Sequence, residues 1–293
     1  MGEAALVERL LRRERAITAA ALGVLCALAW VYLINGAGFG AAAWDLTGVF
    51  QPSAHRAPDA MAGMDMAGMD MPGMAASGAA THPQAWSAGF WALGVAMWWT
   101  MMVAMMVPSA APTILLFGQV RRRALAQGHP AGLAPTGIFA AGYLLVWLGF
   151  SLLALLAQWA LQRSGLVSPA GMVSQSRWLS AGVLIGAGLY QLSPFQNLCL
   201  SHCRSPAAFL SRHWQAGAWG ALRLGVLHGA YCVGCCWMLM ALLFVGGVMN
   251  LAWIAALTLV VMAEKLLPGG QWIGRAGGMA LLAWGVATVV LEV

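Results

Sequence analysis

The residues with the most chemistry in this chain lie in one apolar run, residues 222–245, LRLGVLHGAYCVGCCWMLMALLFV. It carries His228, Cys232, Cys235 and Cys236. On an α-helix the spacing i, i+4, i+7, i+8 puts all four on one face. A lone cysteine in such a run packs as a small hydrophobe. An imidazole and three thiols on one stripe make a soft ligand set instead. Thiolates and imidazole together suit Cu(I) or Zn(II). Cys232-Val233-Gly234-Cys235 also has the spacing of a dithiol couple, but a redox pair wants an exposed thiol near a helix N-terminus. This one sits deep in the run.

Three other groups extend the set. Met61, Met64, Met66, Met69, Met71 and Met74 recur at spacings of two and three, with Asp65 and Asp70 between them and His55 and His82 flanking. Thioethers are neutral and soft, and among biological metals they suit Cu(I); silver would bind the same ligands. Met97, Met101 and Met105 form a ladder at i, i+4, i+8, with Met102 and Met106 beside it. Such a stripe often only packs a core. Here the depth of Met97 along its helix matches that of Cys232, so the ladder and the thiols can meet if their helices are neighbours. Cys199, His202 and Cys203 sit at i, i+3, i+4 just after Ser193-Pro194, a helix-start signal with Ser as N-cap and Pro at N1. They resemble a metal half-site, with structural zinc as the rival occupant. Glu264, an ionisable group in an apolar helix, is a further ligand candidate. Its neighbour Lys265 reads as an orientation signal that snorkels to the interface.

The elements that must carry these residues are membrane helices. Of the 293 residues, 61% are hydrophobic and 8% charged, against ~25% charged in soluble domains. A net charge of +6 in such a chain sets orientation and does not indicate nucleic-acid binding. Apolar segments at 16–35, 86–107, 136–161, 178–194, 222–246, 249–267 and 274–291 predict an all-α polytopic membrane bundle of about seven transmembrane helices, each near the ~20 residues a bilayer needs. Prolines 108, 194 and 268 read as stops at helix ends. With seven spans, twelve Lys/Arg fall on one side and only Arg56, Arg163 and Arg177 on the other. The positive-inside rule then makes the N-terminus cytoplasmic. The expected organisation is a tail and first helix over 1–35, an extracytoplasmic Met/His-rich disordered loop over 36–85, and a metal-binding bundle over 86–293. The run at 16–35 is longer than a signal-peptide core and reads as retained.

The stretches WWTMMVAMMVPSAAP (98–112), YQLSPFQNLCLSHCRSP (190–206), LRLGVLHGAYCVGCCWMLM (222–240) and AEKLLPGG (263–270) resemble a Cys/His/Met-rich bacterial family of predicted metal-binding integral membrane proteins. The resemblance covers roughly residues 86–291 and implies metal binding in a bacterial inner membrane. The methionine loop and the MxxxM ladder look like the methionine motifs of eukaryotic-type copper permeases, a likeness of ligand chemistry only.

The sequence therefore reads as a multi-pass inner-membrane protein, not an enzyme, that binds Cu(I), with Zn or Ag as alternative ions. The outer methionines capture the ion, the ladder and the His228–Cys236 stripe hold it in the membrane, and Cys199, His202 and Cys203 meet it at the cytoplasmic face. Transmembrane copper transfer is the first expectation. A copper-insertion factor serving a membrane cuproenzyme or copper-chaperone partner is the second, and a membrane thiol–disulfide relay the third. Beyond lipid, metal and such a partner, nothing indicates nucleic acid or ATP.

Overall fold

The structure is a computed structural model. It describes residues 2–38, 86–126, 135–169 and 171–291. The methionines at 61–74, including Met64, Met66, Met69 and Met71, lie outside the described residues, as does most of the loop expected over 36–85.

Among the described residues every regular element is helical, apart from one bridge between Val167 and Ser174. The helices are α1 (Gly2–Ile34), α2 (Ala88–Ala126), α3 (Thr136–Arg163), α4 (Arg177–Leu192), α5 (Pro194–Arg204), α6 (Pro206–His213), α7 (Gly217–Ala241), α8 (Leu243–Gly246), α9 (Leu251–Leu266) and α10 (Gly270–Val290). Five stretches are long and apolar enough to cross a membrane: Arg15–Ile34, Ala88–Ala124, Thr136–Arg163, Gly217–Gly246 and Gly270–Val290. The segments expected at 178–194 and 249–267 form α4 and α9, with 16 residues each. At ~1.5 Å per residue such a helix reaches only ~24 Å, less than the ~30 Å hydrocarbon core.

Local chemistry sets several boundaries as expected. Ser193 Oγ accepts from Gln196 N at 3.2 Å, with Pro194 opening α5. Ser176 caps α4 and Asn250 caps α9 in the same way. Pro108 does not behave as expected. The helix runs on through Pro108 and Pro112 to Ala126. An interior proline removes a backbone hydrogen bond, and membrane bundles tolerate this when side chains satisfy the freed groups. Close by, the Met106 carbonyl accepts from Ser109 Oγ (2.9 Å) and from Tyr143 OH (3.1 Å).

The core is built around α2. Residues 101–107 are buried on every side of the helix, which marks a segment enclosed by other helices rather than one amphipathic face. Helices α3 and α7 press together through glycines. A Cβ on Gly225 would collide with the carbonyl of Phe139, and one on Gly229 would meet Val146 Cβ at 2.9 Å. Gly225 and Gly229 form a GxxxG pair, which lets two membrane helices approach backbone to backbone. This contact fixes the ligand-bearing face of α7 against α3.

Gly225→Val should open that seam. Overpacking costs roughly 1–3 kcal/mol, and the upper end or more is expected because the obstacle is backbone. Gly149 has nothing within 4 Å of its Cβ direction, so Gly149→Ala should be neutral or mildly stabilising. Thermal unfolding in detergent checks both; equal midpoints for the two variants would contradict the close packing.

Candidate metal centre

Three helices bring the soft side chains together. Cys232, Cys235 and Cys236 on α7 are each 1% exposed. Cys203 of α5 lies within interaction range of Cys232 and Cys235, and that interaction, with burial, holds its thiol well above the usual thiol range. From α2, Met106 Sδ lies 3.9 Å from Cys236 Sγ. The helical spacing of Cys232, Cys235 and Cys236 therefore does what the sequence predicts, and Cys203 joins them.

Two further groups close on Cys232. Tyr143 OH of α3 is 3.1 Å from its Sγ, and Lys265 Nζ of α9 donates to the same sulfur at 2.9 Å. Lys265 also reaches Ser109 Oγ at 3.4 Å. This lysine does not snorkel outward; it is 6% exposed and turns into the thiols. An ammonium in an apolar bundle needs an anionic or polar partner, and the sulfur cluster is the one within its reach. Cys235 and Cys236 meanwhile donate their thiols to the Cys232 carbonyl, at 3.1 and 2.9 Å.

His228 lies one turn from Cys232, with its ring among Phe139, Tyr143 and Phe209 (centroids 6.0, 5.7 and 5.3 Å away). Its Nδ1 is buried with no hydrogen-bond partner. An orphaned buried nitrogen is costly, and a metal ion is one kind of partner that would satisfy it. Cys199 packs on the next turn of α7: a Cβ on Gly234 would stand 2.9 Å from its sulfur. Burial pushes the Cys199 thiol up.

The other expected ligands have these surroundings. Met97, Met101 and Met105 are all fully buried in α2, and Met106 of the parallel pair meets a thiol. His202 does not face the cysteines but stacks on Tyr231, ring centroids 4.1 Å apart. Glu264 points the opposite way from Lys265, into a carboxamide pocket. Gln191 Nε2 donates to its Oε1 at 2.5 Å and Gln196 Nε2 to its Oε2 at 3.4 Å. Among the described residues no three His, Cys, Asp or Glu side chains are already arranged to hold a metal ion. An ion entering the cluster would have to replace the thiols' hydrogen bonds to Lys265, Tyr143 and backbone.

Sequence reasoning missed Tyr143 and Lys265. Tyr143 gives no signal in a run of aromatics and leucines. Lys265 gives one: a lysine beside a glutamate in an apolar helix is expensive wherever it points.

The model of the PpoB2 family, described as a copper chaperone, matches residues 95–288. That stretch takes in all but the start of α2 and every later helix except the end of α10, and leaves out α1 and residues 39–85. No curated protein and no solved structure matches the chain.

The burial pattern predicts thiol reactivity. In the folded, detergent-solubilised protein a maleimide should modify Cys26, Cys199 and Cys203, which are partly exposed, long before Cys232, Cys235 and Cys236. Mass mapping of the modified peptides checks this; equal labelling of all six thiols before denaturation would rule out the packed cluster.

Proposed function

The chain belongs to the PpoB2 copper chaperone family, and from that premise we propose that it is a membrane-embedded carrier that holds Cu(I) in its buried thiol cluster and passes it to a copper-requiring partner. The observation that carries this reading is the convergence of Cys203, Cys232, Cys235 and Cys236 from two helices beside Met106. In this reading Cys232 and Cys235 are the thiolate ligands, with the protonated thiol of Cys203 beside them. Cys236, His228 and Met106 are the reserves that let the ion change partners. Ligand exchange among more donors than the ion needs is what a carrier requires.

The charge inventory favours a monovalent ion. Ligating cysteines are deprotonated. Two thiolates with Cu(I) sum to one negative charge, and the Lys265 ammonium, 2.9 Å from Cys232 Sγ, brings the site to zero. With Zn(II) the same groups would leave one positive charge in the bundle. An unbalanced unit charge at ~4 Å is worth about 4 kcal/mol at an effective dielectric of ~20, roughly a thousandfold in affinity. Zinc also prefers a closed four-ligand tetrahedron, which the described residues do not preform.

The rest of the assignment follows the ligands. The methionines Met64, Met66, Met69 and Met71 would gather the ion outside a bacterial inner membrane, and Met97, Met101 and Met105 would offer weak stations inside it. A second reading, net transfer across the membrane, is favoured by that same column of thioethers within α2. A thiol–disulfide relay fits poorly, because a partner thiol has no access to Cys232 or Cys235, each 1% exposed. Glu264, tied to two glutamines, serves more naturally as an anchor between helices than as a ligand.

Elemental analysis of the purified full-length protein tests the reading. Copper should co-purify with the wild type, and its sulfur-bound fraction should fall sharply in Cys232→Ser, Cys235→Ser. Unchanged copper, or zinc in its place, would end the proposal. Lys265→Gln should keep every thiol titratable yet weaken Cu(I) binding by about two to three orders of magnitude, measured by competition with a chromophoric Cu(I) chelator. Copper flux into proteoliposomes would select the transfer reading over hand-over.

A further inference from the structure

Outside the thiol cluster, α5 and α6 bring two histidines together. His202 near the end of α5 and His213 at the end of α6 have ring centroids 6.5 Å apart. Each ring is fixed on one side. His202 Nδ1 pairs with the Leu198 carbonyl at 2.9 Å, and His213 Nδ1 with the Phe209 carbonyl at 3.1 Å. A carbonyl oxygen can only accept, so each Nδ1 carries its proton and each Nε2 keeps its lone pair. This is the tautomer that metal-binding histidines adopt when a carbonyl holds the other nitrogen. Tyr231 stacked beneath His202, with rings 3° from parallel, and Phe209 against His213 at 5.1 Å hold the two rings in place.

The separation discriminates between ions. With a metal–imidazole bond of ~2.0 Å and ~1.1 Å from nitrogen to ring centre, a linear two-coordinate ion sets the ring centres ~6.2 Å apart, and a tetrahedral one ~5.1 Å. The observed 6.5 Å is well beyond the tetrahedral value and slightly beyond the linear one, so with both Nε2 atoms turned to it a two-coordinate ion fits the spacing better than a tetrahedral one. His202 is half-buried, and the next residue, Cys203, interacts with the buried thiols. One step along α5 thus links the imidazole to a thiol.

We propose that His202 and His213 form a second, weaker Cu(I) site at the protein surface, the stage through which the ion passes to or from Cys203. Two neutral imidazoles bind Cu(I) less tightly than thiolates, so the stage fills after the cluster and empties before it. The direction of use rests on the reading of the thiol cluster as the copper store; the histidine site itself does not.

Copper K-edge absorption on Cu(I)-loaded full-length protein tests it. In Cys232→Ser, Cys235→Ser the residual copper should include a two-coordinate, nitrogen-bound fraction. Adding His213→Gln or His202→Gln should abolish that fraction. In an otherwise wild-type chain His213→Gln should remove the weaker ion and spare the sulfur-bound one. Three results would overturn the proposal: no nitrogen-bound copper on the Cu(I)-loaded double-serine variant, nitrogen-bound copper that survives both histidine substitutions, or tetrahedral zinc displacing copper there. Failure of the thiol reading looks different, with a wild-type spectrum already free of sulfur. Monodispersity of each variant in detergent establishes that the comparison is between folded proteins.

Discussion

An ammonium buried against sulfur is the contact on which the centre depends. Lys265 reaches Cys232 at 2.9 Å inside an apolar bundle, where an isolated charge would be prohibitively unfavourable. The contact therefore dictates that the thiols, the Tyr143 hydroxyl and Ser109 gather at one point, since each lowers the cost of the charge. It also dictates that α9 deliver its C-terminal turn to the middle of α2 and α7. The glycine seam between α3 and α7 supplies the other half of the constraint. It holds Tyr143 and the cysteine face of α7 at a separation that ordinary side chains would not permit.

The resulting centre combines soft donors with one fixed positive charge. A soft monovalent ion matches both properties. Membership of a copper chaperone family agrees with that chemistry, and the family match spans the helices that supply the thiols, the tyrosine and the lysine. The surface histidines extend the ligand set outward in the order of decreasing softness.

Much of this was legible in the sequence. The helical spacing of His228, Cys232, Cys235 and Cys236 follows from 3.6 residues per turn, and Ser193-Pro194 announces α5 by its capping chemistry. The long apolar runs announce five of the spanning helices. Other features were not legible, for identifiable reasons. Pro108 looks like a stop because soluble helices end at proline, whereas here the segment before it is enclosed by other helices and α2 continues 18 residues past the expected stop. Met106, near the middle of that long helix, meets Cys236. Lys265 looked like a snorkelling residue because its direction depends on which helix face meets α7, and that is a tertiary fact. The pairing of His202 with His213 depends on the turn between α5 and α6, which residue types alone do not specify.

Helix α5 is fastened to the α9 end at two points, through Gln196 to Glu264 and through Arg204, whose guanidinium donates to the Leu267 carbonyl at 2.9 Å. Cys203 and Lys265 therefore sit on segments tied to each other, while Cys232, Cys235 and Cys236 belong to the α3–α7 wall. The grip of the centre is thereby a mechanical variable. Withdrawing those segments by a few ångströms would subtract a donor atom and its counter-charge in a single stroke, turning a retaining cradle into a releasing one without breaking a bond in the wall.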